Sequence, residues 1–130
     1  MEIVVSQEQG RVPVTVFRLK GDLTTDEPLY SQAQEAFKAG THNLILDLTQ
    51  VPYISSRGLR LLHNLYLLLR TDAPAESDAA TRAGVLSGTF KSPHLKLLNP
   101  SKDALKVLSL AGYDMFLEIY HDLEEAVASF

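Results

Sequence analysis

A chain of 130 residues with no cysteine and a net charge of −4 can bury a core as one domain, and disulfides, thiolate metal sites and thiol nucleophiles are closed to it. A pI near 5.5 argues against nucleic acid as the main partner, because binding the phosphate backbone needs clustered positive charge; a protein or a small molecule is the expected partner. The longest apolar stretch, Leu59 to Leu69, carries Arg60, His63 and Asn64 and is too short to span a bilayer, and with no N-terminal signal the expected compartment is the cytoplasm.

Glu2 to Ser6 and Val12 to Leu19 read as two strands joined around Glu8-Gln9-Gly10, with Pro13 placing the start of the second strand at an edge or outside the ladder. Gly21 to Asp26 is a turn into a helix, capped by Thr25 or Asp26, with Pro28 in its first turn. That helix buries Leu29, Ala33, Ala36 and Phe37 and stops at Gly40.

Leu44, Ile45, Leu46 and Leu48 form an apolar run too short for a helix, as in a strand covered on both faces. Pro52 ends it. Ser55 then serves as N-cap, and Gly58 lies in the first turn of a helix. At 100° per residue, Leu59, Leu61, Leu62, Leu65, Tyr66, Leu68 and Leu69 share one half of the wheel. Ser56, Arg57, Arg60, His63, Asn64, Leu67 and Arg70 share the other, and within it Ser56, Arg60, His63 and Leu67 line one exposed stripe. The helix N-terminus favours negative charge, so a phosphate on Ser56 fits there and Arg60 can partly neutralise it.

Thr71 to Ser92 is rich in Ala, Ser, Thr, Asp and Gly and reads as a long mobile loop, a surface insertion with a helical turn around Ala79 to Arg82. His94 to Leu98 is a short strand. Asn99-Pro100-Ser101 caps a helix carrying Ala104, Leu105, Val107, Leu108 and Leu110, which Gly112 ends. Phe116 to Tyr120 is a final strand, and Leu123, Ala126, Val127 and Phe130 mark a last amphipathic helix. The alternation predicts an α/β domain: a mixed β-sheet with an initial hairpin, right-handed crossovers and about four helices.

Chemistry is sparse. His42, His63, His94 and His121 lie in separate elements without ligand spacing, so no metal is expected. Asp22, Asp26 and Asp47 invite comparison with an acidic phosphoreceiver pocket, but Asp47 sits inside an apolar run and better suits a structural carboxylate that bonds neighbouring loop amides. With no Gly-rich phosphate loop, Gly-x-Ser-x-Gly or carboxylate pair at motif spacing, neither an enzyme nor a cofactor is expected. Ser56 is either a modifiable serine or a small polar residue in a tight space, and Arg60 either a solvated charge or a phosphate clamp.

Val51-Pro-Tyr-Ile-Ser-Ser-Arg-Gly-Leu-Arg, together with Gly21-Asp-Leu-Thr, Leu44-Ile-Leu-Asp-Leu and Leu117-Glu-Ile-Tyr-His-Asp-Leu-Glu-Glu-Ala, resembles the STAS domain of anti-sigma-factor antagonists over nearly the whole chain. The resemblance implies phosphorylation at Ser56 by a partner kinase that is also an anti-sigma factor, with release of the complex. It also implies a partner-binding surface of Thr24, Ser55, Ser56, Arg57, Arg60, His63 and Leu67. Ser55 and Thr24 stand where classical members carry acids, and Arg57 where they carry a small residue. A second reading is a small-ligand or nucleotide sensor with its groove near Thr24, Ser55 and Ser56, without phosphorylation.

Overall fold

The computed structural model describes residues 2–25, 27–70, 94–115 and 117–130; the loop expected at 71–92 lies outside them. Five strands form one sheet in the order β1-β2-β3-β4-β5. They are β1 (Glu2–Gln9), β2 (Pro13–Lys20), β3 (Leu44–Gln50), β4 (Leu95–Leu98) and β5 (Glu118–Tyr120). The β1–β2 pair is antiparallel and the other three are parallel, which is the expected mixed sheet with an opening hairpin. Among the described residues there are four α-helices, α1 (Leu29–Lys38), α2 (Ser56–Arg70), α3 (Lys102–Leu110) and α4 (Leu123–Ala128), and a 3₁₀ turn over Tyr113–Met115. None of these helices is long and apolar enough to cross a membrane.

Alternation along the strands divides the core in two. Phe17, Leu19, Leu44, Leu46, Leu48, Leu95 and Leu97 meet α1, α2 and α3 on one face. Val14, Val16, Ile45 and Leu98 meet Ala126 and Val127 of α4 on the other. Every residue from Leu44 to Leu48 is buried, as the apolar run requires of a central strand. On α2, Leu61, Leu62, Leu65, Tyr66 and Leu69 are buried, while Leu59 and Leu68 are half-buried at the margin.

Three boundaries differ from expectation. The hairpin turns at Gly10–Val12 instead of around Glu8-Gln9-Gly10, because the ladder continues through Glu8↔Val14 to Gln9↔Pro13. Pro13 opens β2 at that last rung, where a missing N–H costs least, although β2 itself lies inside the sheet. Of the two expected caps of α1, Asp26 lies outside the described residues and Thr25 does not serve: Pro28 holds the cap position without a side-chain bond, and the Thr25 hydroxyl donates instead to the Glu27 carbonyl at 2.9 Å. The last strand starts at Glu118, after the 3₁₀ turn, and the Leu117 N–H points back to the Tyr113 carbonyl at 3.0 Å. Ser101 does cap α3, accepting from the Ala104 N–H at 3.1 Å, and Asp122 caps α4 by accepting from the Glu125 N–H at 3.1 Å.

Candidate functional site

Two neighbouring serines at the start of α2 have different jobs. The Ser55 hydroxyl accepts from the Gly58 N–H at 3.2 Å and faces the Leu23 carbonyl at 3.4 Å, and the Ser55 N–H donates to the same carbonyl at 3.0 Å. Ser55 is therefore the N-cap that its residue type predicts, and it ties the helix to the Leu23 segment. That segment is itself joined to the loop before α2, through a parallel bridge between Leu23 and Ile54 and a bond from the Leu23 N–H to the Tyr53 carbonyl at 2.9 Å. The tie sets Thr24, exposed and next in the chain, beside the helix entrance. Ser55→Ala should lower stability by about 1 kcal/mol, seen as a lower urea midpoint at unchanged slope.

Ser56 is the first residue of α2, and it is exposed. So are Arg57, Arg60, His63 and Leu67, the last at 38%. The polar stripe read from the sequence is thus an outward face, and the same helix buries Leu61, Leu62, Leu65 and Leu69 on the sheet. No acidic residue occupies the first turn of α2, leaving its free N–H groups and two arginines to set the local field. That combination favours an anion or an acidic surface.

Two aromatic residues escaped the sequence reading. Tyr53, 51% exposed, stands in the loop before Ser55 and belongs to no periodic pattern that would single it out. Tyr113, from the 3₁₀ turn, lies within electrostatic reach of Arg60: burial raises its hydroxyl pKa above the usual value, and the guanidinium partly offsets that rise. Nothing local in the sequence signals this meeting of α2 with a turn near the other end of the chain.

The other candidates fall elsewhere. Asp47 is buried on β3 and accepts from the Thr49 N–H at 3.0 Å, the Thr49 hydroxyl at 2.5 Å and Arg18 Nε at 3.4 Å, the bonds of a structural carboxylate. Among the described residues no group of three or more His, Asp or Glu could hold a metal ion. A cavity of about 450 Å³ lies between the hairpin tip and α4, and one of about 400 Å³ is lined by Thr15, Thr41 and Asn43; neither is lined by the α2 stripe.

A family profile of the STAS domain matches residues 4–73. An anti-sigma factor antagonist from Mycobacterium paratuberculosis has a similar solved structure, at 20% identity and a TM-score of 0.63, covering 98% of this chain and 93% of that one. SpoIIAA in its unphosphorylated form is similar at 18% identity and a TM-score of 0.62, over 95% of this chain and 92% of its own. The phosphorylated form of the Bacillus cell fate determinant SpoIIAA matches at 20% identity and a TM-score of 0.61, over 95% and 96%. No curated protein matches the sequence. At these identities the solved structures share a fold with this chain.

Proposed function

The chain belongs to the STAS domain family, and from that membership we propose that it is a non-catalytic, cytoplasmic protein-binding regulator whose docking surface is the N-terminal end and exposed stripe of α2. The surface comprises Thr24, Ser55, Ser56, Arg57, Arg60, His63 and Leu67. The partner is an anti-sigma factor or serine-kinase-like protein, and phosphorylation of Ser56 switches binding off. One observation carries the reading: Ser56 is exposed at the first position of α2, while the adjacent Ser55 is spent on the cap. Two of the similar solved structures are named anti-sigma factor antagonists, and a third is SpoIIAA in a phosphorylated form, which supports the same assignment.

A phosphate at Ser56 would add roughly −1.5 to −2 charges to a surface that now presents arginines, altering the contact through repulsion and desolvation. Incubation with a serine kinase of the anti-sigma-factor type, followed by mass spectrometry, should locate the phosphate on Ser56. Ser56→Asp should weaken partner binding at least about tenfold, with Ser56→Ala binding as the unmodified protein does. Phosphate found at other residues, with binding indifferent to Ser56→Asp, would remove the switch.

A further inference from the structure

β1 is an eight-residue strand at the outer edge of the sheet, and among the described residues it pairs only with β2. Its alternate backbone N–H and C=O groups therefore face away from the sheet. Natural edges are usually protected by a bulge, a proline, charged side chains or an inward-pointing charge, and the charges of β1, Glu2 and Glu8, flank an uncharged stretch from Ile3 to Gln7. β1 has no bulge, since its register runs unbroken from Glu2↔Lys20 to Gln9↔Pro13, and it contains neither proline nor lysine. The opposite edge, β5, is only three residues long.

The exposed apolar residues of β1 show what kind of element would cover it. Val4 is 41% exposed and Val5 49%. As neighbours in a strand they point to opposite faces of the sheet. A helix or loop lying on one face could cover only one of them. Another strand added at the edge would shield both and satisfy the outward backbone groups as well.

We propose that this strand comes from a second copy of the chain, paired antiparallel to β1 about a two-fold axis at Val4. Charge and apolar matching together select the register. In a symmetric antiparallel pair centred on Val5, Glu2 would oppose the partner's Glu8, and the same like-charge contact would recur on the other side of the axis. Centred on Ser6, the pair sets Val4 against the partner's Glu8. Centred on Val4, it sets Val4 against the partner's Val4, Ile3 against the partner's Val5 and Glu2 against the partner's Ser6, with no like charges opposed. The result is one continuous sheet through two molecules. The contact is a strand edge and not a broad face, so the dimer is weak and depends on concentration.

The chain contains no cysteine, so Val4→Cys introduces a single thiol. Directly opposed Cβ atoms in an antiparallel pair lie about 4.5–5.5 Å apart, within reach of a disulfide or a short bis-maleimide. Val4→Cys should cross-link into dimers at least about tenfold faster than Leu67→Cys or Leu110→Cys, which place a thiol on other exposed surfaces. Sedimentation equilibrium of the wild type should show the 14.4 kDa mass doubling as concentration rises through the ~10–200 µM range. Val4→Lys, which brings two ammonium groups together at the axis, should stay monomeric. A wild type monomeric throughout that range, which would leave the edge to a foreign strand, overturns the proposal; so does Val4→Cys cross-linking no faster than the two control variants.

Discussion

Gly58→Ala is expected to lower folding stability by about 3 kcal/mol, although alanine is the better helix former by roughly 1 kcal/mol. The cause is a backbone contact. A Cβ at Gly58 would lie 2.2 Å from the Leu23 carbonyl oxygen and 3.1 Å from the Ile54 methyl. The carbonyl cannot swing aside as a flexible side chain could, because it also accepts the Ser55 N–H and its residue is paired with Ile54. Relieving the overlap means pulling the first turn of α2 away from the Leu23 segment and loosening the Ser55 cap along with it. Urea unfolding of the variant beside wild type and Ser55→Ala checks this: the Gly58→Ala midpoint should fall well below that of Ser55→Ala. An unchanged or higher midpoint would mean that propensity outweighs the contact. The same loosening should reduce partner binding, since Ser56 and Arg60 ride on that turn.

Lys96→Ala is expected to cost about 2–3 kcal/mol and to free the C-terminal helix. Lys96 is 3% exposed on β4. Its ammonium donates to the Ser129 carbonyl at 3.0 Å and the Ser129 hydroxyl at 2.8 Å, and pairs with the Glu118 carboxylate at 3.4 Å. It also lies 4.4 Å from the Phe130 ring centre and 5.6 Å from that of Tyr120. Removing it strands the Ser129 acceptors and opens a hole beneath the aromatic rings. Glu118 keeps about a third of its side chain in water, which holds the loss at the lower end for a broken buried pair. Lys96→Met restores volume without charge and should recover about half of the deficit. Hydrogen exchange should locate the effect: in Lys96→Ala, amides of α4 exchange faster while those of α2 stay protected. Equal loosening of both helices would show that Lys96 supports the whole core and does not specifically hold α4.

The neighbours of Glu118 and Tyr120 show the same dependence on distant partners. The Tyr120 hydroxyl donates to the Glu118 carboxylate, while burial chiefly, aided by Glu118, raises the Tyr120 pKa above its ordinary value. In the sequence, Leu95-Lys96-Leu97-Leu98 reads as an ordinary short strand, and nothing in it marks the lysine as buried. That burial requires β5 on one side and α4 above, two elements that follow later in the chain.

Where the deciding contacts are local, the amino-acid order was enough. The buried and exposed halves of α2, the Ser55 cap, the Ser101 cap and the stripe from Ser56 to Leu67 depend on residues within a turn or two of one another, and helical periodicity writes these into the sequence directly. The buried central strand and the α/β layering were legible for the same reason. Asp47 was half legible: its bonds to Thr49 are local, whereas its contact with Arg18 depends on β2 lying beside β3.

Tertiary structure alone decided which segments meet. It brought the Leu23 carbonyl against Gly58, Tyr113 toward Arg60 and Ser129 onto Lys96, and among the described residues it set β1 at the edge of the sheet with β2 as its one partner. It also overruled the expected Thr25 cap, since the turn into α1 engages that hydroxyl before the helix begins. The physical reason is range. Periodicity and capping act over a few residues, whereas sheet order, strand register and the faces that helices cover come from the packing of the whole chain, in which each position is set by partners far away in the sequence.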